Sequence, residues 1–326
     1  MKRESTSVSA TSTPAASEQS GCFILDGSPV PPAIQSGSVA IGNFDGVHRG
    51  HLTMIHTLVA DARQAGQPAV VVTFHPHPLT LLRPHAAPPM LTTLAHRAEL
   101  LRALGVDAVV VLPTTPELLR LTPTEFFDRV VLQELKAKRL VEGPNFFFGR
   151  DRAGNITVLR GMCAAHGIAL DVIEPVMVDH QWVSSSVIRS LLADGDVDDA
   201  VALLGHPYRL AGRVVTGVRR GRTIGFPTAN LEGFETIVPG HGVYAGRCAI
   251  DGRAHPAAIH IGPNPTFGED RPKIEIHFLD FEGELYDRTL AVDFLARVRD
   301  VRKFDSVAEL RSQLERDIAK VREIAG

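Results

Sequence analysis

The sequence predicts a doubly wound α/β domain followed by a small antiparallel β-barrel and a terminal helix. Three observations predict this fold class. The chain has 326 residues, enough for two cores at about 150 residues per domain. As far as Gly205, short β-branched runs alternate with stretches of helical spacing. Beyond Gly205, short strands follow one another between turns rich in Gly and Pro.

The amino-terminal half alternates strands with helices. Strands are predicted over 38–43, 69–74, 108–112, 139–142 and 170–178. Helices are predicted around 52–62, 94–104 and 158–166, and Thr122-Pro123-Thr124-Glu125 reads as a capping box that opens another helix. This alternation is typical of a parallel sheet covered by helices.

The carboxy-terminal half is predicted to be mostly β. Two short helices, 186–193 and 197–204, precede a Gly205-His206-Pro207 break that indicates a boundary. Strands are then predicted over 210–216, 242–250, 257–261 and 273–278, and a helix over 307–325. We therefore expect one domain over 21–205 and a second over 206–326.

Composition excludes several classes of protein. Apolar residues make up 44% and charged residues 22%, as in an ordinary globular protein, and the net charge of -3 argues against a nucleic-acid partner. No apolar stretch approaches the ~18 residues of a membrane span. Residues 1–20, rich in Ser, Thr, Ala and Pro, predict a disordered tail rather than a signal peptide. Three isolated cysteines fit a reducing cytoplasm, and the oligomeric state stays open.

A phosphate site is predicted where the first strand meets the first helix, in Gly42-Asn43-Phe44-Asp45-Gly46-Val47-His48-Arg49-Gly50-His51. Ligands of open α/β sheets bind at such junctions, and a helix amino terminus favours anions. His48 and His51 could donate hydrogen bonds to a phosphate whose charge grows in the transition state. A metal site or ordinary surface histidines are the alternatives, but the pair has no third ligand nearby in sequence.

Two further segments have phosphate-binding character. Ser184-Ser185-Ser186 opens a helix that carries Arg189 one turn later; the serines could simply cap the helix, whereas the guanidinium suits polyphosphate. The segment from Gly221 to Asn230 is glycine-rich but matches neither a Walker A loop nor a dinucleotide loop. It could cradle phosphates, with Thr228 and Asn230 as hard oxygen ligands for Mg²⁺, or form an ordinary hairpin.

The amino-terminal motifs, in order, resemble the adenylyltransferase module of the bacterial bifunctional riboflavin kinase/FAD synthetases. These motifs are H-x-G-H, Thr73-Phe74-His75-Pro76-His77-Pro78, Asn145-Phe146-Phe147-Phe148-Gly149-Arg150 and S-S-x-x-I-R. The resemblance implies a Rossmann-like nucleotidyltransferase that transfers AMP from ATP to FMN and releases pyrophosphate. It also implies catalytic roles for His48 and His51, with phosphate contacts from Gly42, Asn43, Phe44, Asp45, Ser185, Ser186 and Arg189, and a flavin contact from Asn145.

The carboxy-terminal motifs resemble the riboflavin kinase module of the same family. They are Pro227-Thr228-Ala229-Asn230, Gly242-Val243-Tyr244, the segment from Gly262 to Phe267, Ile274-Glu275-Ile276-His277, and Arg299 with Lys303-Phe304. The resemblance implies Glu275 as general base, Thr228 and Asn230 as Mg²⁺ ligands, Gly221, Gly225 and Pro227 at ATP, and Arg299 and Phe304 at the flavin. Glu275 alternates with two isoleucines, so a plain solvent-facing carboxylate is the alternative.

The resemblance covers residues 38–322 and predicts a bifunctional cytoplasmic enzyme. Riboflavin would become FMN in the barrel and FMN would become FAD in the α/β domain, with ATP as the second substrate of both steps. Two other functions stay open. One is adenylyl transfer to another acceptor, such as nicotinate mononucleotide, or a related activating synthetase; the other is a non-catalytic flavin-binding regulator.

Overall fold

A computed structural model describes residues 22–24, 29–217, 225–264 and 269–326. It contains a six-stranded sheet in its amino-terminal half and a closed barrel of six strands in its carboxy-terminal half. The predicted fold class is therefore confirmed. The predicted tail, residues 1–20, lies outside the described residues. Within the described part of the chain, no helix combines the length and the apolar character needed to cross a bilayer.

All six strands of the amino-terminal sheet are parallel. They are β1 (Cys22–Ile24), β2 (Ser38–Ile41), β3 (Ala69–His75), β4 (Ala108–Pro113), β5 (Arg139–Glu142) and β6 (Ala169–Val172). Their order is β1-β4-β3-β2-β5-β6. The chain moves outward from β2 to β4 and then returns to β5 on the other side of β2. The carboxyl ends of β2 and β5 therefore form the switch point where open α/β sheets bind ligands.

Helices cover both faces of this sheet. They are α1 (Arg49–Ala65), α2 (Pro78–Leu82), α3 (Leu94–Ala103), α4 (Pro116–Arg120), α5 (Pro123–Phe126), which continues into a π-helix over Phe127–Glu134, and α6 (Ile156–Ala165). Neighbouring strand residues pack on opposite faces: Val70 and Val72 join one apolar cluster and Val71 joins the other. The capping box at Thr122 and Glu125 is confirmed.

The predicted strand over 170–178 was wrong in its extent. The strand β6 ends at Val172, and a separate pair, β7 (Met177–Val178) and β8 (Gln181–Trp182), forms an antiparallel hairpin. Pro175 lies in the gap, and proline has no N–H to continue a strand ladder. The hairpin leads directly into the next helix, which carries the serine-rich motif.

The barrel is antiparallel and closed. Its strands are β9 (Tyr208–Val215), β10 (Ala229–Glu232), β11 (Gly242–Ile250), β12 (Arg253–Asn264), β13 (Glu269–Phe278) and β14 (Thr289–Arg299), in the order β10-β13-β12-β11-β14-β9. The helix α9 (Val307–Ala325) follows. The sequence interpretation named four of these strands and missed β10 and β14.

Two helices join the halves of the molecule. They are α7 (Ser185–Asp194) and α8 (Val197–Leu204), and their apolar side chains share one cluster with the barrel interior. Leu192 and Leu203 belong to this cluster together with Tyr244 and Phe294. Hydrogen bonds reinforce the contact, since the Gly240 N–H donates to the Leu192 carbonyl at 2.8 Å. The helix pair is therefore part of the barrel core although it lies before Gly205.

Two candidate active sites

The first site is a strained turn between β2 and α1. Phe44, Gly46 and Val47 have φ values of 49°, 85° and 40°, which place all three in the left-handed region. Two bulky residues in that conformation are unusual, and such strain is typical of functional loops. The turn leads directly into α1, which begins at Arg49. The first N–H groups of a helix have no partner within the helix, so they are suited to binding an anion.

The carboxylate of Asp45 fixes this turn from below. It is 2% exposed and accepts hydrogen bonds from the N–H groups of Leu91 and Thr92, both at 3.0 Å. Two guanidinium groups also donate to it, Arg97 at 3.3 Å and Arg189 at 2.5 Å. The side chain of Asp45 therefore points into the protein interior, and any contact between this residue and a ligand falls to its backbone.

His48 and His51 lie together at the start of α1. Their rings stack with centroids 3.7 Å apart and planes 15° apart. Among the described residues, neither Nδ1 atom has a hydrogen-bond partner although both are buried, and the same holds for Oδ1 of Asn43. Unsatisfied buried polar atoms cost free energy, so three of them around one turn indicate a polar ligand.

Both imidazoles are neutral at physiological pH. Burial lowers the pKa of His48 to about 4, and burial also lowers the pKa of His51 well below its ordinary value, with His48 and Arg97 adding to the effect. A neutral imidazole still offers one N–H donor. The pair can therefore donate hydrogen bonds to phosphate oxygens without carrying a charge.

Gly50 leaves room for the His48 ring. A Cβ at position 50 would lie 3.3 Å from both Cε1 and Nδ1 of that ring and 3.9 Å from the carbonyl oxygen of Val183. The glycine in H-x-G-H thus makes room for the first histidine against the helix backbone.

The serine-rich helix α7 meets the same turn. Ser184 caps the helix by accepting from the Val187 N–H at 3.3 Å, and the Ser185 hydroxyl donates to the Asp45 carbonyl at 2.9 Å. Arg189 donates to Asp45 and, at 2.7 Å, to the carbonyl of Pro89. Ser186 is exposed. Residues about 140 positions apart therefore converge, with the Arg189 guanidinium turned toward Asp45.

The loop after β5 lies beside the switch point. Asn145 is exposed, and the rings of Phe146 and Phe148 stack with centroids 5.4 Å apart. Phe147 is 44% exposed, and the Arg152 guanidinium lies 4.3 Å from its ring centroid. The exposed amide and ring give this loop a surface suited to an aromatic ligand.

Two residues of this site were missed in the sequence. Arg97 is 2% exposed beneath the turn, although its position in an amphipathic helix gave no signal of burial. Glu142 ends β5 and accepts the Ile41 N–H at 2.8 Å, and burial raises the pKa of its carboxyl well above the usual range. Glu142 thus joins β2 to β5 at the switch point.

The second site is a row of side chains across the barrel. Asn230 pairs with Glu275, Glu275 with His260, His260 with Val243, and Val243 with Arg299 on successive neighbouring strands. Directly paired residues share one face of a sheet. Ile274 and Ile276 are buried in the barrel core, so Glu275 faces away from the interior, as predicted.

The helix α9 covers one end of this row. Nη2 of Arg299 lies 2.7 Å from Asp317 of α9, whose side chain is 3% exposed. The Arg299 guanidinium also lies 5.6 Å from the ring centroid of Phe304, which is buried. The two residues predicted at the flavin are therefore in contact, and Arg299 also anchors α9.

The segment before β10 brings oxygen atoms that could bind a metal ion to the other end of the row. Gly225, Pro227 and Thr228 are exposed, and His277 Nδ1 lies 2.8 Å from the Pro227 carbonyl. Gly221 lies outside the described residues. The carboxamide of Asn230 packs so closely on Gly217 that a Cβ there would lie 2.2 Å from Nδ2.

A cavity of about 810 Å³ adjoins this segment. Its polar lining includes Thr216, Asn230 and Lys273, and its walls are mostly apolar. Ala193 of α7 also lines it, so the helix that begins at the first site ends at the second. A volume in this range is typical of small-molecule sites.

The side-chain oxygens of Thr228 and of Asn230, which lines the cavity, fit Mg²⁺ better than a softer metal. The part of the chain that the structure describes contains no group of three His, Cys, Asp or Glu residues arranged to hold a metal ion. Thr228 and Asn230 offer neutral hard oxygens, and Mg²⁺ is usually held by few protein oxygens together with water and substrate phosphates. The donor chemistry therefore suits a magnesium ion that binds with a nucleotide.

Comparisons with known proteins match two successive stretches of the chain to two families. A family model described as FAD synthetase matches residues 31–187, and one described as riboflavin kinase matches residues 204–325. The bifunctional riboflavin kinase/FMN adenylyltransferase of Pseudomonas fluorescens is 39% identical over 286 residues, which are 87% of this chain and 92% of the relative. The protein of the same name from Escherichia coli K12 is 36% identical over 296 residues, 90% and 95% of the two chains.

A solved structure shares the whole architecture. A protein of Streptococcus pneumoniae titled a macrolide-efflux protein superposes with a TM-score of 0.82 at 31% identity, covering 93% of this chain and 99% of its own. The resemblance inferred from the motifs is thus confirmed by relatives that match nearly end to end. The chain belongs to the bifunctional riboflavin kinase/FMN adenylyltransferase family.

Proposed function

We propose that this protein phosphorylates riboflavin to FMN and then adenylylates FMN to FAD, using ATP in both steps. The tandem match to the two families supports both activities. The observation that carries the assignment of the adenylyl site is the convergence of the 42–47 turn, the stacked histidines and the start of α7. We further propose that residues 21–205 and 206–326 are the two functional units and that the enzyme acts in the cytoplasm.

Adenylyl transfer is assigned to the first site. A phosphate oxygen of FMN attacks the α-phosphorus of ATP, a new P–O bond forms, and the bond to pyrophosphate breaks. His48 and His51 donate hydrogen bonds to phosphate oxygens, and each such donor is typically worth roughly 10²- to 10³-fold in rate. Backbone groups of Gly42, Asn43, Phe44 and Asp45, together with Ser185, Ser186 and Arg189, hold the phosphates, and Asn145 contacts the flavin.

Riboflavin phosphorylation is assigned to the second site. Glu275 accepts the proton of the ribityl 5′-hydroxyl, whose oxygen attacks the γ-phosphorus of ATP while ADP leaves. Such a base typically contributes about 10²- to 10⁴-fold. Thr228 and Asn230 would hold Mg²⁺, which when bound neutralises phosphate charge. Gly221, Gly225 and Pro227 line the nucleotide, and Arg299 and Phe304 face the flavin.

A product assay tests the function directly. Purified protein is incubated with riboflavin, ATP and Mg²⁺, and riboflavin, FMN and FAD are resolved by chromatography. We expect FMN first and FAD later. Flavin binding without turnover would instead indicate a regulator, and adenylylation of nicotinate mononucleotide but not FMN would indicate another acceptor.

Paired variants test the separation of the sites. H48A and S185A should depress FAD formation from supplied FMN and leave riboflavin phosphorylation intact, whereas E275Q should do the reverse. Equal loss of both activities in a folded variant would contradict two separate sites.

A further inference from the structure

We propose that Arg97 is a positioning residue for adenylyl transfer, which fixes the 42–47 turn from beneath and preserves a positive charge beside the phosphates. The inference rests on the proposed function of the first site. Arg97 belongs to none of the sequence motifs. Its side chain, 3% exposed, lies beneath the turn and makes no hydrogen bond to Nδ1 of either stacked histidine. Its role is therefore exerted through other residues.

The guanidinium reaches the turn by two routes. Nη2 of Arg97 contacts Oδ1 of Asp45 directly at 3.3 Å. Nη1 donates at 3.2 Å to the hydroxyl of Thr73, which in turn donates to the Asn43 carbonyl at 3.0 Å. Nε donates to the Thr92 hydroxyl at 3.3 Å. One side chain therefore fixes both sides of the strained residue Phe44.

The same side chain determines the local charge. Among the described residues, Asp45 is the carboxylate that Arg97 and Arg189 share, so this cluster of three side chains carries a net positive charge. Without Arg97, Asp45 would neutralise Arg189 completely. A fixed positive charge in a site shielded from water favours an anionic triphosphate far more than an exposed one does.

An arginine is needed for this geometry. The fork of donors serves Asp45, Thr73 and Thr92 at once, and a lysine ammonium offers a single point charge instead. A lysine at position 97 would keep the charge but lose part of the hydrogen-bond network. The two functions of Arg97, charge and shape, can therefore be separated by substitution.

The histidine pair supplies a second readout. The charge of Arg97 contributes to the lowered pKa of His51, after burial and the charge of His48. The charged and titratable groups that act on His48 are Asp45, Arg189 and His206. Removing the Arg97 charge should therefore raise the pKa of His51, and the acid limb of the pH profile should move to higher pH.

The test compares R97M with R97K and with a matched control, R102M. Arg102 lies on the same helix, is exposed, and donates to the Asp107 carbonyl at 3.2 Å. Adenylyl transfer from FMN and riboflavin phosphorylation are measured on each protein. R97M should lose roughly 10- to 100-fold in kcat/KM for adenylyl transfer, with its acid limb moved upward and its kinase activity unchanged. R97K should keep the wild-type acid limb with a partial loss of kcat, and R102M should match the wild type.

Several results would overturn the inference. Wild-type adenylyl transfer by R97M would do so, and so would a parallel loss of both activities or an unmoved acid limb. If R97M does not fold, T73V and T73S decide: T73V should slow adenylyl transfer and T73S should not, and equal rates refute the route through Thr73. A wild-type protein that makes no FAD would refute the proposed function itself, whereas a normal wild type with a normal R97M would refute only the role of Arg97.

Discussion

Substituting Gly50 by alanine should separate stability from activity. The new Cβ would lie 3.3 Å from two atoms of the His48 ring, whereas carbon atoms settle about 3.5 to 4.0 Å apart. The ring must therefore move by a few tenths of an ångström. The effect on stability has the opposite sign, because alanine stabilises a helix relative to glycine by up to about 1 kcal/mol. Gly50 lies in the first turn of α1, and its φ is not left-handed, so alanine can adopt the same backbone conformation.

The size of each effect follows from these distances. A misplacement of 1 Å in an active site can cost about 10²-fold, so a shift of about a third of that corresponds to roughly 5-fold in adenylyl transfer. A gain of up to about 1 kcal/mol raises Tm by up to about 1.5 °C in a chain of this size, because the entropy of unfolding is about 2.1 cal/mol/K per residue. We therefore expect G50A to be at least as stable as the wild type and several-fold slower in making FAD.

The assay measures thermal unfolding, FAD formation from FMN, and FMN formation from riboflavin on the same preparation. The matched control is G161A, because Gly161 lies exposed within α6 and a Cβ there has no neighbour within 4 Å. G161A should gain stability and keep both activities. Wild-type FAD formation by G50A would refute the dependence on His48, and a lowered Tm would refute the helix argument.

Three further expectations concern single side chains. E275Q should lose about 10²- to 10⁴-fold in riboflavin phosphorylation, while FAD formation from supplied FMN is retained; intact kinase activity would exclude Glu275 as the base. Burial lowers the pKa of His48 from 6.5 in the unfolded chain to about 4 in the folded protein. As the pH falls, the unfolded chain therefore takes up the proton first, so the contribution of neutral His48 to stability is complete above pH 6.5 and is lost toward pH 4. Between about pH 7.5 and about pH 4.5, the Tm of H48N should therefore fall less than the Tm of the wild type. Identical slopes of Tm against pH would contradict this. D317A removes the carboxylate that pairs with Arg299 and should lower the free energy of unfolding, measured by chemical denaturation, by about 2 to 3 kcal/mol. This is less than the cost of breaking a fully buried pair, because the Arg299 side chain is 18% exposed. An unchanged denaturation midpoint would show that the pair does not hold α9.

The elements that the sequence predicted best have strong local signals. The helix α8 and the strands β5 and β11 were predicted at their observed bounds, because periodicity and caps or turns coincide there. The strand β10 has only four residues, two of them Asn and Glu, so its pairing with β9 and β13 rather than its own composition defines it.

The site was predictable only as far as its motifs reach. The stacked histidines and the serine-rich helix were predicted from short segments, and the structure brings them to one turn. Arg97 could not be found this way, because its burial depends on Asp45, 52 residues away in sequence. His260 lies opposite Glu275 only through the strand register, which turns between distant strands determine.

The shared helix α7 has a consequence for how this protein can be divided. It begins at the phosphate-binding turn, and Ala193 near its end lines the barrel cavity; at about 1.5 Å per residue, its ten residues span about 15 Å. A barrel cut free at residue 206 would lose Leu192 and Leu203 from its core and one wall of its cavity. A barrel transplanted without α7 and α8 would therefore have an incomplete core, although every residue assigned to its chemistry lies beyond Gly205.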